Sequence, residues 1–317
     1  MNRPSLVLVG LYLSMVVAWG FNYLFVGAGL RYAPPLWLAA LRAGTGAAGV
    51  GLFLYAGPGR AKLDRRRTYE AILLGVPNTA LFFGLWFWAA ENVPPGQAAV
   101  VIYTFPLWVA LLSIPILLQS PSRTQVGAIG AGFIGIVLVA QPWRSGAGAI
   151  AGLDGILLVI AAISWATATV VFKRRFSAAE MQLANGYQLV GGTAALVGAA
   201  LWTEGWGPSS VGSPLVATVL WLGLVGTAGA YIIFFHLLGK LPAPTLGAYT
   251  FLVPVVALAA SVALIGESVD PIELVGVGLV LISTYGVSRS GPDRRTAGET
   301  RPTPLSAPKA DPGRHVK

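Results

Sequence analysis

Arg42 is the one full charge deep inside a long apolar run, the segment Pro34–Ala56. A charged side chain at the centre of a bilayer costs about 2.5 kcal/mol or more, so it must face protein or water rather than lipid. Two interpretations are open. Arg42 could bind the carboxylate of a small molecule, or it could be structural and pair with helix carbonyls or with Glu91.

Other polar and aromatic side chains within apolar runs are candidates for the same binding cavity. The amides are Asn22 and Asn78, which could line the cavity or hydrogen-bond to a neighbouring helix. Aromatic side chains could form the walls, although they also pack generically in membrane proteins. The aromatic candidates are Trp19, Tyr103, Trp165, Tyr231 and Tyr249.

Two prolines, Pro106 and Pro254, fall near the middle of apolar runs at positions 148 residues apart. A mid-helix proline removes one backbone hydrogen bond and clashes with the carbonyl four residues earlier, here that of Ile102 or Thr250. Matching interruptions in two halves of a membrane protein point to a transport site, so we expect these prolines to line or hinge the cavity. The alternative is a kink that only shapes helix packing.

Several kinds of chemistry have no candidate residues in this sequence. It contains no cysteine, which excludes disulfides and thiolate metal ligands, and no GxxxxGK[ST] phosphate loop. No cluster of carboxylate, histidine or serine side chains suggests a catalytic or metal site, so we expect no cofactor and no enzyme activity. A membrane-embedded enzyme and a non-transporting membrane sensor or assembly protein are kept as alternatives.

The carboxylates that flank the apolar runs all lie at the ends of those runs: Glu70, Glu91, Asp154, Glu180 and Glu267. Proton-coupled carriers often use a carboxylate inside the membrane. The sequence therefore leaves two hypotheses, a carrier that exchanges or facilitates, or a proton relay through groups at the edge such as Glu91.

The elements that must position these residues follow from the composition. Hydrophobic residues make up 55% of the 317 residues and charged residues only 10%, with a mean hydropathy of +0.71, whereas soluble domains carry about 25% charged residues. About 20 apolar residues cross a bilayer. Ten segments qualify: Ser5–Leu30, Pro34–Ala56, Thr68–Ala90, Gly96–Leu118, Thr124–Ala140, Leu153–Phe172, Met181–Trp202, Pro214–Leu238, Pro242–Gly266 and Pro271–Val287.

The basic residues lie in alternate loops of this ten-helix arrangement. Of the 21 Lys and Arg residues, 18 fall on the side of the N-terminus and only Arg31 and Arg144 on the other, with Arg42 inside a span. The positive-inside rule then places both termini in the cytoplasm. The net charge of +9 therefore reflects membrane topology, and we expect the lipid bilayer and no nucleic acid as a partner. Residues 288–317 are predicted to form a disordered basic cytoplasmic tail.

The two halves of the chain resemble each other. At an offset of 148 residues, Pro106 meets Pro254, Gly130 meets Gly278 and Ser113 meets Ser261, while the Trp19 and Trp165 pair is 146 apart. This predicts repeats over residues 5–140 and 153–287. Because five helices is an odd number, the second repeat enters the membrane in the opposite sense, which suits alternating access.

The run Trp19-Gly20-Phe21-Asn22, the stretch from Gly223 to Tyr231, the run Phe251–Pro254 and the pair Gly266-Glu267 resemble motifs of the EamA family in the drug/metabolite transporter superfamily. The resemblance implies an all-α protein of ten transmembrane helices with a central cavity between its halves. It implies a secondary transporter, and we expect an exporter of a small metabolite such as an amino acid, in the cell inner membrane. Association into a homodimer is left open.

Overall fold

The protein is described by a computed structural model that covers residues 6–57, 62–93, 95–119, 121–141, 143, 152–208, 211–265 and 269–289. All regular elements within those residues are helical. The predicted tail 288–317, apart from its first two residues, and the pair Gly266-Glu267 lie outside the described residues.

The helices follow the ten predicted segments, with ends that differ from them by at most three residues. They are α1 (Leu6–Gly29), α2 (Pro35–Ala56), α3 (Arg65–Ala89), α4a (Pro95–Ile102), α4b (Phe105–Leu117), α5 (Arg123–Ala140), α6 (Leu153–Arg175), α7 (Met181–Thr203), α8 (Ser213–Lys240), α9a (Ala243–Tyr249), α9b (Leu252–Ile265) and α10 (Pro271–Arg289). Seven of the described helices are long and apolar enough to cross a membrane, and α5 and α10 contain shorter apolar stretches.

Local sequence signals explain where several helices begin. The Asp64 side chain accepts a hydrogen bond from the backbone N–H of Arg67 at the start of α3. Ser122 and Gln125 form a reciprocal capping box at the start of α5. Both devices satisfy backbone N–H groups that have no partner within the first helical turn.

Four irregular segments divide the long helices, two in each half. α3 contains a π-helical segment at Val76–Leu81, and α8 contains one at Trp221–Gly229. The fourth and ninth spans are each broken by a turn, between α4a and α4b and between α9a and α9b. These interruptions lie where helices of the two halves meet, and π-helical turns are frequent at functional sites.

The predicted hinge prolines follow the two breaks. Pro106 lies in the first turn of α4b, where a proline needs no N–H partner. The break before it is closed by a hydrogen bond from Leu107 N to Thr104 O (2.9 Å), and the break before Pro254 by one from Val253 N to Thr250 O (3.0 Å). The structure thus locates both prolines beside a helix interruption, and their role as hinges stays a prediction.

Helix packing pairs the two halves around a pseudo-two-fold axis. α2 packs on α8 as α7 packs on α3, and α1 packs on α9b as α6 packs on α4b. The pairs α2 with α7 and α5 with α10 join equivalent helices of the two halves. Each half contributes five spans, so this relation places the second half upside down with respect to the first.

A glutamate carboxylate is held at each end of the helix bundle, and its partners differ between the two ends. At the end that holds the start of α2, the Glu204 carboxylate accepts hydrogen bonds from Leu36 N (2.9 Å) and Trp37 N (3.0 Å). At the opposite end, Glu180 pairs with Arg67 and accepts hydrogen bonds from the Ser177 backbone and side chain. We refer to these as the Glu204 end and the Glu180 end.

Candidate substrate cavity

A cavity lies among α1, α2, α3, α4, α6 and α8, near the middle of the bundle. Its empty space is about 340 Å³ including its mouth, and only about 20 Å³ of it is wide enough for the centre of a water molecule. In this conformation the cavity is therefore narrow, with room for one or two waters. Its lining residues are Trp19, Asn22, Tyr23, Arg42, Phe82, Phe83, Trp86, Ile102, Tyr103, Trp165 and Tyr231.

Stacked aromatic rings form the wall nearest the centre of the bundle. Trp165 stacks on Phe105 with ring centroids 3.7 Å apart and on Phe82 at 4.8 Å. Trp19 meets Trp165 edge to face at 5.6 Å. Since α1 and α6 are equivalent helices, these two tryptophans meet near the pseudo-two-fold axis. Their rings make this wall of the cavity rigid and apolar.

Among the described residues that line this cavity, Arg42 is the only one with a charged side chain, and it is 1% exposed. Its Nε donates a hydrogen bond to Thr227 Oγ1 (2.9 Å), and its Nη2 lies 3.4 Å from Gly226 O. The guanidinium also stands over the Phe83 ring, 4.1 Å from its centroid, a favourable cation–π arrangement. These contacts fix the position of the charge within the wall.

The π-helical segment of α8 supplies the oxygen atoms that hold Arg42. Thr227 Oγ1 donates a hydrogen bond to Leu222 O (2.8 Å), five residues earlier, while it accepts from the arginine. Gly226 O also accepts a hydrogen bond from Trp19 Nε1 (3.1 Å). The segment thereby aims its hydroxyl and carbonyl oxygens at the cavity wall instead of using them only along the helix.

Polar atoms without partners remain around the cavity. Among the residues that the structure describes, Arg42 Nη1, Asn22 Oδ1 and Tyr231 Oη are buried and have no hydrogen-bond partner. Tyr23 Oη is a fourth such atom on the same cavity. Buried polar groups in proteins are nearly always satisfied, so four exceptions on one small cavity need an explanation. A polar ligand that enters the cavity would supply one.

The sequence left Arg42 either as a ligand for a carboxylate or as a structural residue paired with helix carbonyls or with Glu91, and the structure bears on the second interpretation. The contact with helix oxygens is present, as the structural interpretation requires. An ion pair with Glu91 is not found in the described part of the chain. Glu91 lies beyond the end of α3, where burial and the carboxylates of Glu204 and Asp154 raise its pKa.

Six of the eight predicted binding residues line the cavity: Trp19, Asn22, Arg42, Tyr103, Trp165 and Tyr231. Asn78 is buried in the π-helical segment of α3 and is not among the lining residues. Tyr249 also lies elsewhere, since its ring is 5.0 Å from that of Tyr12 and its carbonyl accepts a hydrogen bond from the Tyr12 hydroxyl (3.0 Å).

The lining residues that the sequence prediction omitted are Tyr23, Phe82, Phe83, Trp86 and Ile102. A signal for some of them was present in the helical period. Phe82 and Trp86 follow Asn78 at intervals of four residues, so they share one face of a helix that already held a candidate.

Comparison with known proteins gives the family. A model of the EamA-like transporter family matches residues 6–141 and 154–289. The chain belongs to the EamA-like transporter family. Each match covers five of the helical spans described above. The protein is therefore a multi-pass transporter of the inner membrane with ten transmembrane helices.

Relatives of similar length occur in several bacteria. The chain is 27% identical over 285 residues to an uncharacterized transporter YvbV of Bacillus subtilis, covering 89% of this chain and 92% of that protein. It is 27% identical over 288 residues to a probable amino-acid metabolite efflux pump of Salmonella typhimurium, covering 87% and 92%. It is also 27% identical over 298 residues to an uncharacterized inner membrane transporter YedA of Escherichia coli, covering 90% and 92%.

A crystal structure shows the same fold. It matches with a TM-score of 0.72 at 19% identity and covers 90% of this chain and 99% of that one. The similarity extends over both halves, so the arrangement of helices is shared along nearly the whole length.

Proposed function

We propose that this transporter is a secondary carrier that exports a small carboxylate-bearing metabolite, such as an amino acid, by alternating access between its halves. The observation that carries the proposal is Arg42 Nη1, an atom of a lining residue that has no hydrogen-bond partner among the described residues. A buried cation without a counter-ion is costly, and a carboxylate would supply both charge and hydrogen bonds.

Two further atoms suit the rest of an amino acid. Asn22 Oδ1 can accept a hydrogen bond from an ammonium group, and Tyr231 Oη can donate one or accept one. The aromatic walls would cover an apolar or planar side chain. The relative in Salmonella typhimurium named a probable amino-acid metabolite efflux pump supports the same class of substrate and the direction of transport.

Alternating access is proposed from the pseudo-two-fold packing, because exchanging the conformations of two inverted halves opens the other face. The positive-inside rule supports an orientation with both termini in the cytoplasm and the Glu204 end outside. The sequence lacks a phosphate loop, so we propose that the energy comes from solute gradients. Exchange or facilitation and a proton relay through Glu91 give different responses to pH.

The proposal can be tested by flux into proteoliposomes of the purified full-length protein. A panel of labelled amino acids should reveal saturable transport, and Arg42→Ala should lower its Vmax/KM about 100-fold while the protein remains folded by thermal melting. Neutral amides of the transported acids should compete weakly. An imposed pH gradient should not alter the flux if the carrier exchanges or facilitates, and should drive it if Glu91 relays protons. Absence of flux for every acid would defeat the carrier proposal.

A further inference from the structure

The repeat identifies the residue that stands where Arg42 stands in the other half. At an offset of 146 residues, the run Tyr103-Thr104-Phe105 meets the run Tyr249-Thr250-Phe251, and Trp19 meets Trp165. The same offset pairs Arg42 with Gln188. Around the cavity, therefore, residues of α1, α2 and the α4 break pair with their counterparts at 146 residues, whereas α3 pairs with α8 at 148, as Thr79 does with Thr227.

The contacts of Arg42 and Gln188 confirm that they are equivalent. Arg42 on α2 donates to Thr227 Oγ1 of α8 (2.9 Å), and Gln188 on α7 accepts at Oε1 from Thr79 Oγ1 of α3 (2.7 Å). Thr79 and Thr227 both belong to the π-helical segments. Each pair joins one half of the protein to the other in the same way.

A glycine brings the helices together at both crossings. A Cβ on Gly46 would lie 2.5 Å from Thr227 Cγ2, and a Cβ on Gly192 would lie 2.7 Å from Thr79 Cγ2. Gly46 and Gly192 are 146 residues apart. The two crossings thus share a close approach of a glycine to a threonine, and they differ in the long polar side chain at their centre, a cation in one and a neutral amide in the other.

The two side chains stand at opposite depths. Arg42 lies seven residues after Pro35 and Gln188 seven residues after Met181, about 10 Å from the Glu204 end and the Glu180 end respectively. Arg42 lines the cavity described above, whereas Gln188 is fully buried and is not among the lining residues of that cavity. The described cavity therefore lies at one of the two equivalent crossings.

The buried polar groups around Gln188 are incompletely satisfied in this conformation. Gln188 Nε2 donates to Asn185 Oδ1 (3.1 Å), but Asn185 Nδ2 and both amide atoms of Asn78 have no partner among the described residues. Unsatisfied amides in a closed, packed region are unfavourable. They are expected of side chains that meet water or substrate when the other side opens.

We propose that Arg42 holds the carboxylate of the substrate in one access state only, and that the substrate meets neutral Gln188 and its amide neighbours in the exchanged state. This inference rests on the proposed function above. One charge-assisted hydrogen bond is enough to make binding at least about tenfold tighter on the Arg42 side. A bound carboxylate then favours the state that is open to the Glu204 end.

The asymmetry has a kinetic form that can be measured. Without a gradient, a passive carrier must have the same ratio of Vmax to KM in both directions, because binding alone cannot drive net flux. The face with the lower KM must therefore also have the lower Vmax. We expect both values to be at least about tenfold lower for entry from the Glu204 end.

The experiment uses labelled L-phenylalanine, whose ring suits the aromatic walls, with right-side-out and inverted membrane vesicles. The wild type should show the sided difference in KM, Arg42→Gln should remove it, and the double variant Arg42→Gln with Gln188→Arg should invert it. Arg66→Gln is the matched control, since it removes an arginine that is exposed at the Glu180 end. That control should leave the ratio of the two KM values unchanged.

The outcomes separate the inference from the proposed function. Flux with equal KM values on the two faces of the wild type would overturn the inference and leave the carrier intact. A sided difference that persists in Arg42→Gln would also overturn it. Absence of L-phenylalanine flux in the wild type would overturn both the inference and the amino-acid assignment. Thermal melting in detergent identifies a double variant that fails to fold, and Arg42→Gln alone then decides.

Discussion

The crossing of α2 with α8 and the crossing of α3 with α7 are two versions of one structure. Both use a glycine for close approach and a threonine of a π-helical segment for the hydrogen bond. They differ at the centre, where Arg42 lines the narrow cavity and Gln188 is fully buried and does not line it. Under the proposed alternating access, the duplicated glycine–threonine contact would serve the exchange of conformations, whereas the side chain at its centre would diverge toward the substrate.

The amides near the two crossings show the same divergence in another form. Asn22 Oδ1 lies so close to Gly226 that a Cβ there would collide with it. At the equivalent positions of the other crossing, Ala168 replaces Asn22 and Asn78 replaces Gly226. Each crossing therefore holds one amide beside one small residue, but the amide comes from the opposite helix of the pair.

The largest expected effect comes from removing the charge at one crossing and the amide at the other. Arg42→Ala should lower Vmax/KM for carboxylate substrates about 100-fold, near the upper range for one hydrogen bond to a charged group. Gln188→Ala should lower it less than about tenfold, because no charge is lost. Initial rates in proteoliposomes measure both, with Arg42→Lys as the variant that keeps the charge. Unchanged affinity in Arg42→Ala would assign the arginine a purely structural role.

A second prediction concerns the backbone contact at the two crossings. A Cβ on Gly75 would collide with backbone atoms, the carbonyl oxygen of Gln188 and the nitrogen of Gly192. A Cβ on its counterpart Gly223 would collide with the side chain of Thr45, at Cβ and Cγ2. Since backbone cannot move aside as a side chain can, Gly75→Ala should destabilise the protein by more than about 2 kcal/mol, and Gly223→Ala by less.

Thermal unfolding in one detergent compares these variants. Gly127→Ala is the control, because nothing lies within 4 Å of a Cβ at that position. If Gly75→Ala and Gly223→Ala unfold at the same temperature, the two crossings are equally tolerant and the difference in backbone contact has no energetic weight.

A third, smaller effect should distinguish the two threonines. Thr227→Val removes the acceptor of Arg42 Nε and should raise KM for a carboxylate substrate about three- to tenfold, because the guanidinium is no longer aimed. Thr79→Val removes a neutral hydrogen bond to Gln188 and should cost about 1 kcal/mol of stability with little change in KM. Equal changes in KM would contradict the assignment of Thr227 as a positioning residue for the cation.

The helix boundaries could be predicted from the sequence because the thickness of the bilayer fixes the length of an apolar run. Prolines and charges at the ends, such as Pro35 and Lys240, then fix where each run stops. Arg42 could be identified as a candidate by the same physics, since a single charged residue within a transmembrane span is costly and usually has a function. These features depend on composition along the chain and not on the partners of each residue.

The rest of the cavity depends on packing between distant helices. The sequence does not distinguish Phe82, which stacks on Trp165, from the many other aromatic residues in the spans. Pro77 marks the π-helical segment of α3, but the segment of α8 contains no proline. The contacts of Thr79 and Thr227 with the other half depend on the fold and cannot be read from either segment. The offset of 148 residues aligned the prolines but did not show the pairing of Arg42 with Gln188, since α2 and α7 are related by 146 residues.

The smallest predicted effect tests the two ends of the bundle. Glu180 is held at the Glu180 end by hydrogen bonds from Ser177 N (2.9 Å) and Ser177 Oγ (2.7 Å) and by its ion pair with Arg67. The Ser177 hydrogen bonds, followed by Arg67, lower the pKa of this carboxyl. A carboxyl whose pKa is lower in the folded state stabilises the fold at neutral pH, and that contribution is lost as the pH falls through the folded pKa.

The pH dependence of unfolding therefore carries a small signal from Glu180. Between pH 7 and acidic pH, the wild type should lose a few tenths of a kcal/mol more stability than Glu180→Gln, since Arg67 is partly exposed and solvent screens the pair. Melting temperatures in one detergent across this range give the comparison, and the two proteins should converge at the acidic limit. If the difference in stability between the two proteins does not change with pH, the glutamate acts through packing alone. The ion pair and hydrogen bonds of its carboxylate would then not stabilise the Glu180 end.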